Sequence, residues 1–329
     1  MLLNDCANTL EALDAIKANW NVIEVPLIAD LSGVSPELRE NLNIGERRVV
    51  DSHKQMLRGD TLRPLSIMGS NYHPLQNQKA VAFLDPFLSQ KQCTLHEGGL
   101  MKGGAVLWVQ VKLTDRIEEV IAGDPVEGKL MIANSHNGDL GVSISFTNQQ
   151  VICMNTLFTA LSRADRKGKL VTLRHSKGME DEMFKVQKAI DMANRSFGGM
   201  MEEYRGMAKT PMNLDSFKIM LENAFKIAPI SDLDLGLDLD NAKEAQTLEK
   251  MRATNRLYDL FEGKAIGSDL PHRRDTVWQG MSALTEYLDH ERGRDETRQQ
   301  ESLVGEGSRI RTRAHEFGMT MVKEYAPAI

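Results

Sequence analysis

The run "GKLMIANSHNGDLGVSISFTNQQ", residues 128–150, constrains the fold more than any other stretch of the chain. Leu140, Val142, Ile144 and Phe146 alternate with Gly141, Ser143, Ser145 and Thr147. That period of two belongs to a strand with one face in a core. Asn137-Gly138-Asp139, between this strand and the one before it, is a hairpin signal, because Asn and Gly accept left-handed backbone. Upstream, "GGLMKGGAVLWVQVKL" at 98–113 sets Val106 and Trp108 against Leu107 and Val109, and its continuous apolar run suits a strand buried on both faces. The glycines at its start are expected to form a turn. Three strands with short connections make an antiparallel meander.

Helical spacing dominates elsewhere. Leu10, Leu13, Ile16 and Trp20 predict a helix over 4–19. "IEVPLIAD" at 23–30 reads as a strand confined to an edge by Pro26. Ser35-Pro36 is an N-cap followed by a proline at the first helical position. Asn77 opens a helix carrying Val81, Leu84 and Leu88. "VICMNTLFTALS" starts in β-rich residues and ends in a helical pattern, which makes Asn155 the expected N-cap of a helix. Met179, Met183, Val186, Ile190, Ala193, Phe197, Met200, Tyr204 and Met207 form a heptad seam, the spacing that packs one helix along another. Gly198-Gly199 weaken that helix and mark a bend or break. Further helices are expected over 243–261, over 275–291 with a stripe of Val277, Met281, Leu284 and Leu288, and after "VGEGSR".

The reading is therefore an α+β protein, with an antiparallel sheet of about three to five strands covered by helices and a mostly helical C-terminal part. The expected division is 1–70, helical and extended; 71–210, an α+β core with sheet and long helix; and 211–329, mostly helical.

Composition narrows the function classes. Hydrophobic residues at 41% and charged residues at 26% are ordinary for a globular protein. No run reaches the roughly 20 apolar residues of a membrane span, and the N-terminus lacks the basic start and apolar block of a signal peptide. Cys6, Cys93 and Cys153 are far apart and unpaired by motif, which excludes a disulfide framework and points to a reducing compartment. The four aspartates at 232, 234, 238 and 240 miss the pattern of a calcium loop at Gly236 and Leu237. No phosphate loop, dinucleotide fingerprint, nucleophile elbow or HExxH motif occurs. No metal and no cofactor is expected.

One segment stands out by charge. Residues 162–178, "SRADRKGKLVTLRHSKG", carry Arg163, Arg166, Lys167, Lys169, Arg174 and Lys177 against Asp165 alone, a balance of +5 before His175 in a chain of net charge −6. Cations so clustered displace condensed counterions from phosphates and give sequence-independent affinity for nucleic acid. Aromatic residues for base stacking are scarce there, so the expected contact is to backbone. Asn155, Thr156 and His136 form a candidate polar site at the strand end, with Ser143, Ser145 and Thr147 as neighbouring polar groups. A histidine site built from His136, His175 and His290 is the alternative of a nucleic-acid-processing enzyme; the bland reading is a set of surface or helix-end histidines.

The succession "NYHPLQNQKAVAFLD", "GGLMKGGAVLWVQVKL", "KLMIANSHNGDLGVSISFTNQQVICMNTL", "LRHS", "TVWQGMSALTEYLDHERG" and "GEGSR" resembles the phage/plasmid-like family of unknown function. The resemblance covers most of residues 70–315, with "ICMNTL" and "YLDH" its most specific marks; it does not extend over the first seventy residues. It implies a protein carried by bacteriophages and plasmids and working in the bacterial cytoplasm, and it brings no catalytic residues. The order of elements, a meander running into a basic segment and a helix, is similar to that of RecT/Redβ-type single-strand annealing proteins, an analogy of fold alone. The expected function is a DNA-binding protein of phage or plasmid replication or recombination, of single-strand annealing type. Single-stranded DNA is its expected partner, and self-assembly is expected through the heptad seam. A second alternative is a module that engages or blocks a host or defence protein.

Overall fold

In the computed structural model, the described residues are 1–138, 141–150, 156–159, 170–173, 185–226, 252–293, 298 and 305–325. They form an α+β protein with two antiparallel sheets. β1 (Val22–Asp30), β2 (Arg47–Arg58) and β3 (Pro64–Gly69) make a three-stranded sheet with β2 in the middle. The second sheet is six-stranded. It runs β4 (Cys93–Met101), β5 (Val106–Glu119), β6 (Pro125–Ser135), β7 (Val142–Gln150) and β8 (Thr156–Thr159), with β9 (Leu170–Leu173) also pairing β7. The order follows the sequence, as the meander requires. Among the described residues no helix is long and apolar enough to cross a membrane.

The chain divides into two compact units that interleave along the sequence. The first comprises 1–114, 130–144 and 171–189; the second comprises 115–129, 145–170 and 190–329. Strands β5, β6 and β7 each contribute residues to both.

In the first unit, α1 (Thr9–Ala15) is shorter than its apolar spacing predicts. Asn8 caps it, and Ala12 and Leu13 are buried. The Thr9 amide and hydroxyl both donate to Asp85, at 2.9 and 3.0 Å, which ties α1 to α4 (Asp85–Ser89). Trp20, Val22 and Met56 are buried together, with Leu65, Met68, Tyr72 and Leu100 packed on them. The glycine-rich run does not simply precede a strand: Gly98 to Met101 end β4 and pair with Val109 to Val106 of β5. The turn itself is Lys102–Gly104, where Gly103 and Gly104 have φ of 68° and 105°. Outside this core, β1, α2 (Pro36–Asn41, capped by Ser35) and the distal part of β2 form an arm. From residue 23 to residue 55 no side chain is buried.

α5 (Lys185–Lys209), which belongs to the second unit from Ile190 onward, continues through Gly198-Gly199 without a break, both glycines lying exposed. Of the heptad seam, Phe197, Met200, Tyr204 and Met207 are buried within this unit. That half of the seam is spent on intramolecular packing and offers no face for self-assembly. α6 (Leu214–Phe225), α7 (Val277–Glu286) and α8 (Glu306–Tyr325) complete the helical layer, with α8 packed on α6 and α7. Phe217 stacks on Phe261 at 4.4 Å between ring centres. Methionines fill this core: Met200, Met201, Met207, Met212, Met220 and Met281 are all buried.

One expectation is overturned here. Thr156–Thr159 is a strand, not the first turn of a helix. It pairs antiparallel with β7, Thr147 opposite Thr159 and Asn148 opposite Phe158. Thr-Leu-Phe-Thr is rich in residues that suit a pleated surface, and an available sheet edge outweighs a single capping candidate.

Candidate functional site

In the second unit, a wholly buried ion pair centres on Asp124. Helix α7 explains why it is there: all ten residues from Val277 to Glu286 are buried, Gln279, Ser282, Thr285 and Glu286 included. A helix immersed on every side must find partners for its polar groups inside the protein. Asp124, at the start of β6 after the left-handed Gly123, supplies them. Its carboxylate accepts from Trp278 Nε1 at 2.8 Å and from Gln150 Nε2, which lies 2.8 Å from each oxygen. Ser282 Oγ donates to Gln150 Oε1 at 3.3 Å. Arg273 Nη1 faces the same carboxylate at 3.4 Å, and both side chains are wholly buried.

The loop before α7 delivers Arg273. Gly267 has φ 74°, and a Cβ there would stand 2.5 Å from Arg273 Nη1, so only glycine leaves room. Two non-glycine residues in the same loop are also left-handed, His272 at φ 63° and Asp275 at φ 55°. Such residues cost roughly 1–3 kcal/mol each and persist where surrounding contacts overdetermine them. Here the Met212 amide donates to the Asp275 carbonyl at 2.9 Å. Thr276 caps α7 through Gln279 N at 3.2 Å and donates its hydroxyl to the Arg273 carbonyl at 2.6 Å. Arg273 also donates to the Gly267 carbonyl at 3.3 Å, while its Nε and Nη2 have no protein partner among the described residues.

The next residue, Arg274, is exposed and donates to the Ser268 carbonyl at 3.3 Å. It lines an open cleft of about 540 Å³ with Asn213, Leu214, Phe261, Glu262 and Asp275. Glu286, at the far end of α7, accepts from the Ile266 amide at 2.9 Å. Burial pushes its carboxyl above the ordinary range, against the pull of that hydrogen bond.

Chemically, both oxygens of Asp124 are engaged by neutral donors, with a guanidinium beside Oδ2. The centre joins the loop to the helix. No group of three or more His, Cys, Asp or Glu among the described residues is placed to hold a metal ion.

In the first unit, His136 occupies a second buried polar position. It is not the surface histidine its hairpin position predicts: its ring Nε2 lies 2.9 Å from Asn77 Oδ1, 6.0 Å separates its ring centre from that of Trp20, and none of it is exposed. Its amide donates to the Ala105 carbonyl at 2.7 Å, and its carbonyl accepts from Ser66 Oγ. Asn77 Nδ2 in turn donates to the Ala18 carbonyl at 3.0 Å, and Arg58 lies 4.8 Å over the Trp20 ring. Beside them the Tyr72 hydroxyl donates to the Ser135 carbonyl at 3.1 Å, and burial raises its phenol above the usual range. His136 therefore ties strand β6 to the segment opening α3 (Asn77–Ala82).

Of the residues expected to bind nucleic acid, Arg163, Arg166, Lys167, Lys169, Arg174, His175 and Lys177 lie outside the described residues, as does Asn155. Thr156 opens β8 opposite Gln149. Strand β9, which falls within the basic segment, pairs β7. Ser143 and Thr147 are buried and so are not polar groups of an open face. His290 is exposed, whereas its neighbour Asp289 is engaged by the buried Arg311 at 2.6 Å. Asp124, Gln150, Arg273 and Trp278 carry no motif. The signal that could have found this centre is the single charge in the ten residues of α7, with Gln279 and Ser282 set between apolar positions.

A family model described as a domain of unknown function, DUF932, matches residues 64–314. The Asp124 centre falls within that span, as do His136 and Asn77, while Trp20, β1, α2 and β2 precede it. No curated protein and no solved structure matches the chain.

Proposed function

The chain belongs to the DUF932 family, a domain of unknown function, and on that premise we propose that it binds the sugar-phosphate backbone of single-stranded DNA in phage or plasmid replication or recombination, acting in strand annealing within the bacterial cytoplasm. The observation that supports this most is local charge: +5 within residues 162–178 of a chain whose net charge is −6. An anionic molecule repels polyanions as a whole, so a cationic segment of this density is the place where one could be held. The placement of β9 lends support. Leu170–Leu173, which lies between Lys169 and Arg174 in the sequence, pairs β7 of the six-stranded sheet. Contacts of this kind carry no sequence preference.

Fluorescence anisotropy with a labelled oligonucleotide at low salt tests the reading. Binding is expected on any sequence, falling steeply with salt. Replacing Arg166, Lys167 and Lys169 together by Ala should weaken it uniformly and lower the salt slope by about two. Absence of binding to every oligonucleotide at low salt overturns the proposal. A mass measurement with and without single-stranded DNA addresses annealing, for which a large DNA-dependent assembly is expected.

A further inference from the structure

The arm at 23–55 exposes apolar side chains. Its strands are paired, and Ile28 and Val49, direct cross-strand partners, are 55% and 50% exposed. At the tip, Leu38 and Leu42 of the α2 turn are 49% and 59% exposed. The arm carries six acidic against four basic residues, so it is not a polyanion site. The match to the family model begins only at residue 64, beyond the arm.

The two edges of the hairpin differ. The outer edge of β1 contains Pro26, which cannot donate to an added strand. On the other side, β3 reaches only to Gly69 opposite His53, and the Ser70 amide then closes on the Ser52 carbonyl. The register of β1 with β2 slips at the same level, between Pro26–Lys54 and Ile28–Val49, so the hairpin bends there. Among the described residues, Arg47 to Asp51 are thus left without a strand on that side. Arg47, Arg48, Val49 and Asp51 are exposed.

We propose that this edge, Arg47-Arg48-Val49-Val50-Asp51, pairs antiparallel with the same edge of a second copy of the chain, joining two hairpins into one four-stranded sheet. The sequence is self-complementary about Val49. A two-fold axis there sets Val49 against Val49, Arg48 against Val50, and Arg47 against Asp51 twice. An isologous contact requires that each residue meet its complement on an identical surface, and opposite charges directly across a ladder favour the register. Backbone hydrogen bonding between edges supplies the affinity, and the exposed Ile28 and Val49 faces extend the apolar surface of the joined sheet. This contact is distinct from the heptad seam and independent of the nucleic-acid reading.

Sedimentation of the full chain over a concentration series, without oligonucleotide, tests it. A reversible dimer is expected, weakening as salt rises. Arg47→Asp and Asp51→Arg should each raise its dissociation constant by about tenfold, because each replaces two attractions by two repulsions. The double variant carrying both substitutions restores complementarity and should return close to the parent. All these positions are exposed, so the thermal melt should not move. A monomer at every concentration overturns the proposal. So does a dimer indifferent to the single substitutions, or a double variant no better than either single one.

Discussion

The Asp124 carboxylate and the Arg273 guanidinium face each other at 3.4 Å, with neither side chain reaching solvent. Pairs of this kind are asymmetric in their energetics: keeping both contributes little, while losing one leaves the other charged in a low-dielectric interior. Asp124→Ala would strand Arg273 and remove the acceptor of Trp278 and Gln150 together. A loss of about 3–5 kcal/mol is expected in urea unfolding, with an altered Trp fluorescence in the native baseline. A loss below about 1 kcal/mol, the range of an exposed pair, contradicts this account.

Glu286 gives the fold a pH dependence of known sign. Its carboxyl is raised by burial, so between the unfolded and the folded pKa the native state holds more protons than the unfolded one. The contribution is fully present below the unfolded pKa and is lost as pH rises through the folded one. Glu286→Gln keeps an oxygen for the Ile266 amide and carries no charge. It should therefore gain stability over the parent at pH 7 and little at pH 4, in paired denaturant titrations. An equal gain at both values refutes a charge origin.

Cys93 is buried at the start of β4, and burial pushes its thiol up to about 11. Since the thiolate is the reactive form, it should resist a thiol reagent at pH 8 in the native protein and react on unfolding. Cys6 is only half-buried and should be modified first. Peptide mapping by mass spectrometry reads both sites, and early labelling of Cys93 would show that β4 opens.

Gly280 lies where α7 passes Met212, Phe217 and Met220. A Cβ there would come within 2.7 Å of the Met212 sulfur and 3.2 Å of the Phe217 ring. Gly280→Ala should cost about 1–3 kcal/mol, the range of an overpacked core, although alanine is the better helix former. A stabilised variant would mean that Met212 yields freely.

Much of this architecture is legible in the residues. The alternation at 140–147, the apolar run at 106–113 and the Ser35-Pro36 start each correspond to an observed element, because each is decided locally. Thr156–Thr159 was not legible as a strand, since its partner β7 decides it. The burial of His136 depends on Trp20 and Asn77, remote in sequence. The Asp124 centre is hidden for a related reason. Asp124 and Gln150 come from two segments remote from the one that carries Arg273 and Trp278, and each alone is an ordinary polar or aromatic residue.

The uncovered stretch from residue 23 to residue 55 has a consequence for how this protein can vary. A side chain inside a core is chosen by many neighbours at once; on the arm only cross-strand partners, the Ser35 cap and pairs such as Lys54 with Glu24 do the choosing. Substitutions at its exposed positions should cost the fold little, within about 0.5 kcal/mol, so those positions can be retuned while the remainder stays as it is.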